Sequence, residues 1–361
     1  MTALAGGVFD QPDDDGAELR QLVDDIGRRC FEARLGQRTR PERFDEALWR
    51  HLQDTGLARL TSTPELAAGP GELATVLAGL ARHAGAVPIA ETDLLAAWLA
   101  QQAELQPPTS GPLTIAESDA TVCGDRLTGS AADVPWARDA AAIILCAKTS
   151  EGWCAAQLNP ADVVIDDGQN LAGEPRDRIS FELPAERCHR IEAVVYDELA
   201  RRGAWARCVQ IIGALDAAAE LTVAHTGERV QFGRPLSRFQ SVQHALAAMA
   251  GEIERGRAAV TLAVAAACDY GFGAAQTDYA VTVAKVVLGR AVGPATTIAH
   301  QLHGAIGVTL EHRLWLATMR AQSWITEYGH TAHHARRLGQ VAMSVQNPWD
   351  LIIGNDLTGW K

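Results

Sequence analysis

Apolar residues recur at helical spacing through the first hundred positions, at strand spacing over the next eighty, and at helical spacing again from about residue 193. Between residues 15 and 35, Leu19, Leu22, Val23, Ile26, Cys30 and Phe31 form one stripe. A second predicted helix, 42–55, would bury Phe44, Leu48, Trp49 and Leu52, and two more are expected at 73–85 and 93–102. Pro107-Pro-Thr-Ser-Gly-Pro112 then breaks the pattern and marks a domain boundary. Short β-type runs follow at 113–115, 121–123, 126–129, 141–147, 152–158, 163–165 and 179–183, separated by Gly, Asp and Pro. Long Ala/Leu/Val segments near 197–228, 238–270, 276–302 and 312–341 have the length and short connections of a four-helix bundle. The expected fold class is α+β, mainly α. It comprises an N-terminal helical domain (1–110), a small β-barrel or β-sheet domain (111–193), a C-terminal four-helix bundle (194–345) and an apolar tail (346–361). Trp349 and Trp360 make that tail costly to expose, so it is expected to dock on a neighbouring subunit.

Composition narrows the partners. A net charge of −12 argues against nucleic acid or an anionic membrane, so a phosphate-bearing ligand must be met by local basic clusters. No uninterrupted apolar run reaches the roughly 18–20 residues of a bilayer span. The N-terminus lacks the pattern of a signal peptide, and a cytoplasmic location is expected. Seven cysteines, an odd number without a CxxC, suggest neither a disulfide framework nor a zinc site, and most read as small buried hydrophobes. His330, His333 and His334 sit at one helix end and do not converge as metal ligands do. They read as a solvated or interface face, and no metal is expected. Arg201, Arg202, Arg336 and Arg337 suit either the phosphates of a charged ligand or a solvated helix surface.

Two stretches carry chemistry. In Glu228-Arg-Val-Gln-Phe-Gly-Arg-Pro-Leu-Ser-Arg-Phe-Gln-Ser-Val-Gln243, a turn at Phe232-Gly233-Arg234-Pro235 joins two long helices. Arg229 and Arg234 can each offer planar paired donors to phosphate. Ser237 is placed as a helix N-cap, with Gln240 at the capping-box position. The second stretch, Gln301-Leu-His-Gly-Ala-Ile-Gly-Val-Thr-Leu-Glu-His312, has two glycines where backbone can approach a neighbour closely. The plainer alternative has Arg229 capping a helix C-terminus and the glycines closing a turn. Glu311 suits the N-terminus of the following helix.

Together, at this spacing, the two stretches resemble the C-terminal domain of the acyl-CoA dehydrogenase family, and the order helices, strands, bundle is that family's domain order. The resemblance implies FAD as cofactor and an acyl-CoA substrate. It implies a hairpin that crosses a dimer interface to the neighbour's flavin: Arg229 meets the pyrophosphate, Phe232 and Gln240 lie beside the adenosine portion, and Gln301, Gly304 and Ala305 line the far end. In the family a carboxylate removes the α-proton while the β-hydride goes to the flavin. Counting by motif puts that base at Tyr328 or Gly329, or alternatively at Gly203; none is acidic. Glu327 lies one or two residues from the first position and Glu198 five before the second. On a helix an offset of one residue turns a side chain by about 100°. Glu327 is therefore a weak candidate for the base, and the bland reading makes both solvated helix carboxylates. The segment 113–124 lacks the glycine–serine run with which the family holds its flavin ring, and Trp136 reads as a core or interface aromatic. These departures, with the wording of 303–312 and 87–95, resemble one subunit type of actinobacterial α2β2 acyl-CoA dehydrogenases acting on steroid-derived thioesters. That type lacks the base and completes the FAD site of a homologous partner across the interface. A self-sufficient homotetramer using Glu327 and a flavin-free structural relative remain as alternatives.

Overall fold

The computed structural model describes residues 14–34, 40–309, 312–352, 357 and 360. They form two compact units: one combines residues up to 28 with 70–84 and 204 onward, the other 29–69 with 85–203. Glu311 lies outside the described residues.

In the second unit, α2 (Glu46–Asp54) starts later than its apolar stripe suggests, because the Asp45 carboxylate accepts the Leu48 amide and fixes the cap. Leu48, Trp49 and Leu52 are buried as expected. The helix expected at 93–102 is a π-helical segment, Ala90–Ala97, running into α4 (Trp98–Gln102). Its widened turn places Asp93 inside the unit, where the carboxylate accepts from the amides of Thr61 and Ser62 and from the Thr61 hydroxyl. Seven strands follow: β1 (Leu113–Cys123), β2 (Arg126–Pro135), β3 (Ala142–Thr149), β4 (Gly152–Leu158), β5 (Val164–Asp166), β6 (Arg176–Pro184) and β7 (His189–Ile191). They make one sheet in the order β5-β6-β2-β1-β3-β4-β7, with β1 and β3 parallel and every other neighbouring pair antiparallel. Alternate residues Ile179, Phe181 and Leu183 of β6 and Cys154, Ala156 and Leu158 of β4 point into one apolar cluster. The structure also corrects the cysteine reading, since Cys154 and Cys188 form a disulfide. Pairing of β4 with β7 sets Cys154 opposite Arg190, a proximity that a separation of 34 residues hides in the sequence. Of the other cysteines, Cys30, Cys146 and Cys208 are buried, whereas Cys123 and Cys268 are exposed.

The first unit holds most of α1 (Asp14–Ala33), α3 (Pro70–Arg82) and the bundle. The bundle helices are α5 (Ala193–Glu228), which enters this unit at Ala204, then α6 (Gln240–Tyr270), α7 (Ala275–His303), α8 (Arg313–Trp324) and α9 (Thr331–Ser344). Buried residues of α6, namely Met249, Ile253, Gly256, Val260, Ala263 and Ala267, alternate four and three apart, the seam of a packed bundle helix. Trp205 is buried edge-on to Phe272 and donates its indole N–H to Ala263 O. Between α6 and α7 only residues 271–274 intervene. Alanine-rich α5, and α7 with its extension to Val308, are long and apolar enough by length and composition alone to cross a membrane, although neither holds an uninterrupted apolar run of that length. More than half of each such stretch is buried in the fold, which accounts for its hydropathy.

Two expectations fail here. The fourth bundle helix is broken into α8 and α9, with residues 325–330 between them. The tail holds α10 (Pro348–Ile352), and of its two tryptophans Trp360 is turned inward rather than left for a neighbour. Trp360 is buried edge-on to Tyr279, donates its indole N–H to Asp278 at 2.8 Å and lies under the Arg337 guanidinium, which is itself paired with Asp278. Leu351 joins the same cluster, while Trp349 is exposed.

Helix approach in this unit depends on small residues. A Cβ on Gly213 of α5 would lie 2.1 Å from Ala78 O of α3, a backbone atom that cannot swing aside. Gly213→Ala should therefore destabilise the protein by about 1–3 kcal/mol. Gly251→Ala, in the middle of α6 with open space at its Cβ, should stabilise it by about 0.5–1 kcal/mol. Urea unfolding of the two variants checks the contrast, and equal effects would show that α3 and α5 are not in close contact.

Candidate functional site

The arginine hairpin is built by local chemistry. Immediately after α5 ends at Glu228, β8 (Val230–Gln231) pairs antiparallel with β9 (Arg234–Pro235). Phe232 and Gly233 between them both have positive φ, 52° and 79°, the turn whose twist suits a two-residue hairpin loop. The stem is tied by Arg229 N–H to His225 O and Leu236 N–H to Arg229 O, each at 2.9 Å. At the tip Phe232 is 91% exposed. Arg234 places its guanidinium 4.1 Å from the Phe239 ring centre. The exposed Arg229 guanidinium makes no hydrogen bond or ion pair with the described residues. Ser237 is not the N-cap expected of it. It lies in a single 3-10 turn, Leu236–Arg238, and α6 begins at Gln240 without a side-chain cap. Instead Gln243 Nε2 donates to Ser237 O at 3.0 Å. That leaves the exposed Gln240 side chain free of the capping role.

The second stretch ends α7 at His303 and continues as a 3-10 turn, Gly304–Val308. Gln301, Gly304 and Ala305 are all exposed. The two glycines do different work. Gly304 supplies a φ of 66° with nothing near its missing Cβ, whereas a Cβ on Gly307 would sit 2.8 Å from that of His303. The structure brings the two stretches to the same end of the bundle. His225, four residues before Arg229, stacks on His303, one residue before Gly304, with ring centres 4.5 Å apart. His312, which caps α8 by accepting the Leu314 amide, lies 4.8 Å from His303.

The candidate base fares differently. Glu327 lies in the break between α8 and α9, not on a continuous helix, so rotation about a helix axis does not decide its direction. Its carboxylate accepts from Arg207 Nε at 2.6 Å. Arg207 is buried, bonds Gln210 through Nη1 at 2.7 Å and sits 5.8 Å from the Tyr328 ring centre. Fully buried Lys285 of α7 donates to Ile325 O at 2.8 Å and Glu327 O at 2.7 Å, serving carbonyls that the end of α8 leaves open. Burial, and secondarily Arg207, pushes its pKa down to about 8 against the pull of Cys208 and Glu327. The chain turns through positive φ at Tyr328 and Gly329, and a His334 ring nitrogen meets Tyr328 O at 3.1 Å. His334 is thus buried, while His333 alone of that pair is exposed. Glu198 is engaged as well: partly buried, it pairs with Arg202 at 2.7 Å, and that guanidinium lies 4.2 Å from the Trp98 ring centre. Lys285 and Arg207 escaped the sequence reading. A charge inside Val-Thr-Val-Ala-Lys-Val-Val-Leu or Ala-Trp-Ala-Arg-Cys-Val was the available signal.

In the strand unit β1 runs without interruption through 113–123, paired with β2 and β3. Burial raises the Glu117 pKa, opposed by a hydrogen bond with Tyr196, whose ring stacks on Trp153. Trp136 is buried edge-on to Phe44. No group of three or more metal-ligating side chains occurs among the described residues.

Residues 196–342 match the acyl-CoA dehydrogenase C-terminal domain, and acyl-CoA dehydrogenase IpdE2 of Mycolicibacterium smegmatis is 27% identical over 86% of this chain and 90% of its own. The C-terminal part of the chain, residues 196–342, belongs to the acyl-CoA dehydrogenase family. That is a family of oxidoreductases acting on acyl-CoA. Its fold extends over nearly the whole chain. The ChsE4-ChsE5 complex from Mycobacterium tuberculosis superimposes with a TM-score of 0.81 over 93% of this chain and 99% of the matched one, at 23% identity. A Tcur3481-Tcur3483 steroid ACAD variant does so with a TM-score of 0.78 over 94% and 98%, at 24% identity. At those identities the likeness is one of fold.

The Lys285 site has a measurable signature. Its folded pKa lies below the ordinary value near 10.4, so the unfolded chain holds more protons between about pH 8 and 10, and the site should gain stability as pH rises through that window. The wild type should gain up to about 1.4 kcal/mol per pH unit relative to Lys285→Met. Urea titrations across that range check this; parallel slopes would mean that no ammonium is buried there.

Proposed function

We propose that this chain is the partner subunit of an FAD-dependent acyl-CoA dehydrogenase, joined to a catalytic homologue in an α2β2 assembly. It would complete the flavin site across the interface rather than carry the base. The observation that carries this reading is the engagement of Glu327 by buried Arg207, with glycine or tyrosine at each position where the family resemblance puts a carboxylate. A base must be free to take a proton at working pH, and a carboxylate closed by a guanidinium on one side is poorly placed to do so.

The donor set suits the anionic half of FAD. Arg229 offers an uncommitted planar cation, Phe232 an exposed aromatic face, Gln240 an amide, and Gln301, Gly304 and Ala305 an exposed turn with backbone accessible at the glycine. By contrast, the segment standing where the family has its ring-binding loop is regular strand, so the ring would be held by the partner. Bound FAD supplies the hydride acceptor. The role of this chain is to fix the pyrophosphate and exclude water from that end. Substrates are proposed to be steroid-derived acyl-CoA thioesters, a reading supported by the steroid enzyme among the matching folds.

Expressed alone, the chain should be colourless; co-expressed with a dehydrogenase-like mate, the assembly should be yellow and reduce an electron acceptor with acyl-CoA. Yellow colour and turnover by the chain alone would establish a self-sufficient enzyme, and absence of flavin in every combination a structural relative. Within the assembly, Arg229→Ala should weaken FAD retention by about ten- to a hundredfold, the loss of a charge-assisted pair worth roughly 1.5–3 kcal/mol. Fluorimetric titration of the apo-assembly measures it, and unchanged affinity would remove the hairpin from the cofactor site.

A further inference from the structure

The histidine stack at the end of the bundle joins the two exposed motifs, and its protonation pattern can be read from its partners. His303 is buried, and its Nδ1 lies 2.8 Å from Ala299 O; a carbonyl only accepts, so Nδ1 carries the proton and Nε2 a lone pair. That Nε2 is buried with no hydrogen-bond partner among the described residues. His312 shows the opposite tautomer: Nδ1 accepts the Leu314 amide as the cap of α8, so a neutral ring carries its proton on Nε2. His225 stacks on His303 and lies edge-on to His312, with ring centres 6.4 Å apart.

Charged and titratable groups around the stack favour neutrality. Arg229 faces His225, Arg313 faces His312, and His300 faces His303; Glu228, beside His225, is the one opposing carboxylate among the described groups acting on it. Burial first, and these neighbours after it, lower His225 and His312 and push His303 down to about 4.

We infer that His225, His303 and His312 are positioning residues, a neutral ring stack that holds the arginine hairpin against the glycine turn and parts them when it takes up protons in mildly acidic solution. Each proton has a definite structural cost. On His312 it occupies Nδ1 and removes the acceptor that caps α8. On His303 it adds a buried N–H without an acceptor. On His225 it sets a cation against Arg229 and the stacked ring. Where the hairpin and turn hold the flavin phosphates, as proposed above, acid would release the cofactor; that consequence rests on the proposed function, whereas the parting of the motifs does not.

Hydrogen–deuterium exchange of the full-length protein, alone or with its mate and corrected for intrinsic pH effects, tests the inference between about pH 7.5 and 5.5, the range in which imidazoles titrate. Protection of 226–236 and 301–309 should fall together, by up to about tenfold per pH unit for each proton taken up, while α6 stays protected. The variant His225→Phe/His312→Asn keeps a stacking ring and a capping oxygen but cannot be protonated at either place, and its protection should lose most of that pH dependence. His312→Asn alone should lose part of it, which keeps the test decisive if the double variant folds poorly. Flat protection in the wild type, or an undiminished fall in the variants, overturns the inference whatever the flavin content. Acid loosening in a protein that never binds flavin supports the stack and overturns the cofactor reading alone.

Discussion

A buried ammonium between two carbonyls governs the most consequential part of this bundle. Lys285 reaches from α7 to Ile325 O and Glu327 O and so stabilises a place where the fourth helix stops and restarts. Desolvating a lysine is costly, and its lowered pKa records that cost, but leaving the two carbonyls unserved inside the bundle would be costly as well. With the break held, Glu327 is carried to Arg207 and Tyr328–Gly329 turn through positive φ. The carboxylate closest in sequence to the family's base position thereby becomes part of a structural ion pair. Such a pair is strongly destabilising to break from one side, because it leaves the remaining charge partly buried and uncompensated. The arrangement that shapes the turn thus also occupies the carboxylate.

What the sequence made legible was local. The stripe of α6 follows from its own spacing, and the hairpin from Phe232-Gly233 between two helices. The break in the fourth helix was not legible: no proline interrupts 312–341, and isolated glycines such as Gly329 and Gly339 do not by themselves end a helical pattern. The group that serves its open carbonyls lies forty residues upstream, in a lysine that looked like one polar position in an apolar run. The Cys154–Cys188 bridge and the inward turn of Trp360 were hidden for the same reason, since each depends on which strand or helix lies next to which. At the candidate site, the motif wording singles out the exposed residues Arg229, Phe232 and Gln240, but not the stacking of His225 on His303 that brings the two stretches together.

The hairpin and the charged break are separated along one rigid element. Arg207 and Arg229 lie 22 positions apart on α5 and the residue that follows it. At the rise of an α-helix that is roughly 33 Å. Effects of substitutions so far apart, with no shared partner, add independently. Changes at the charged break can therefore leave the hairpin end intact. Under the proposed reading, a partner subunit needs that independence: its contribution to a cofactor held elsewhere depends on the hairpin, the glycine turn and the ring stack beneath them, and on nothing at the position where a catalytic carboxylate would stand.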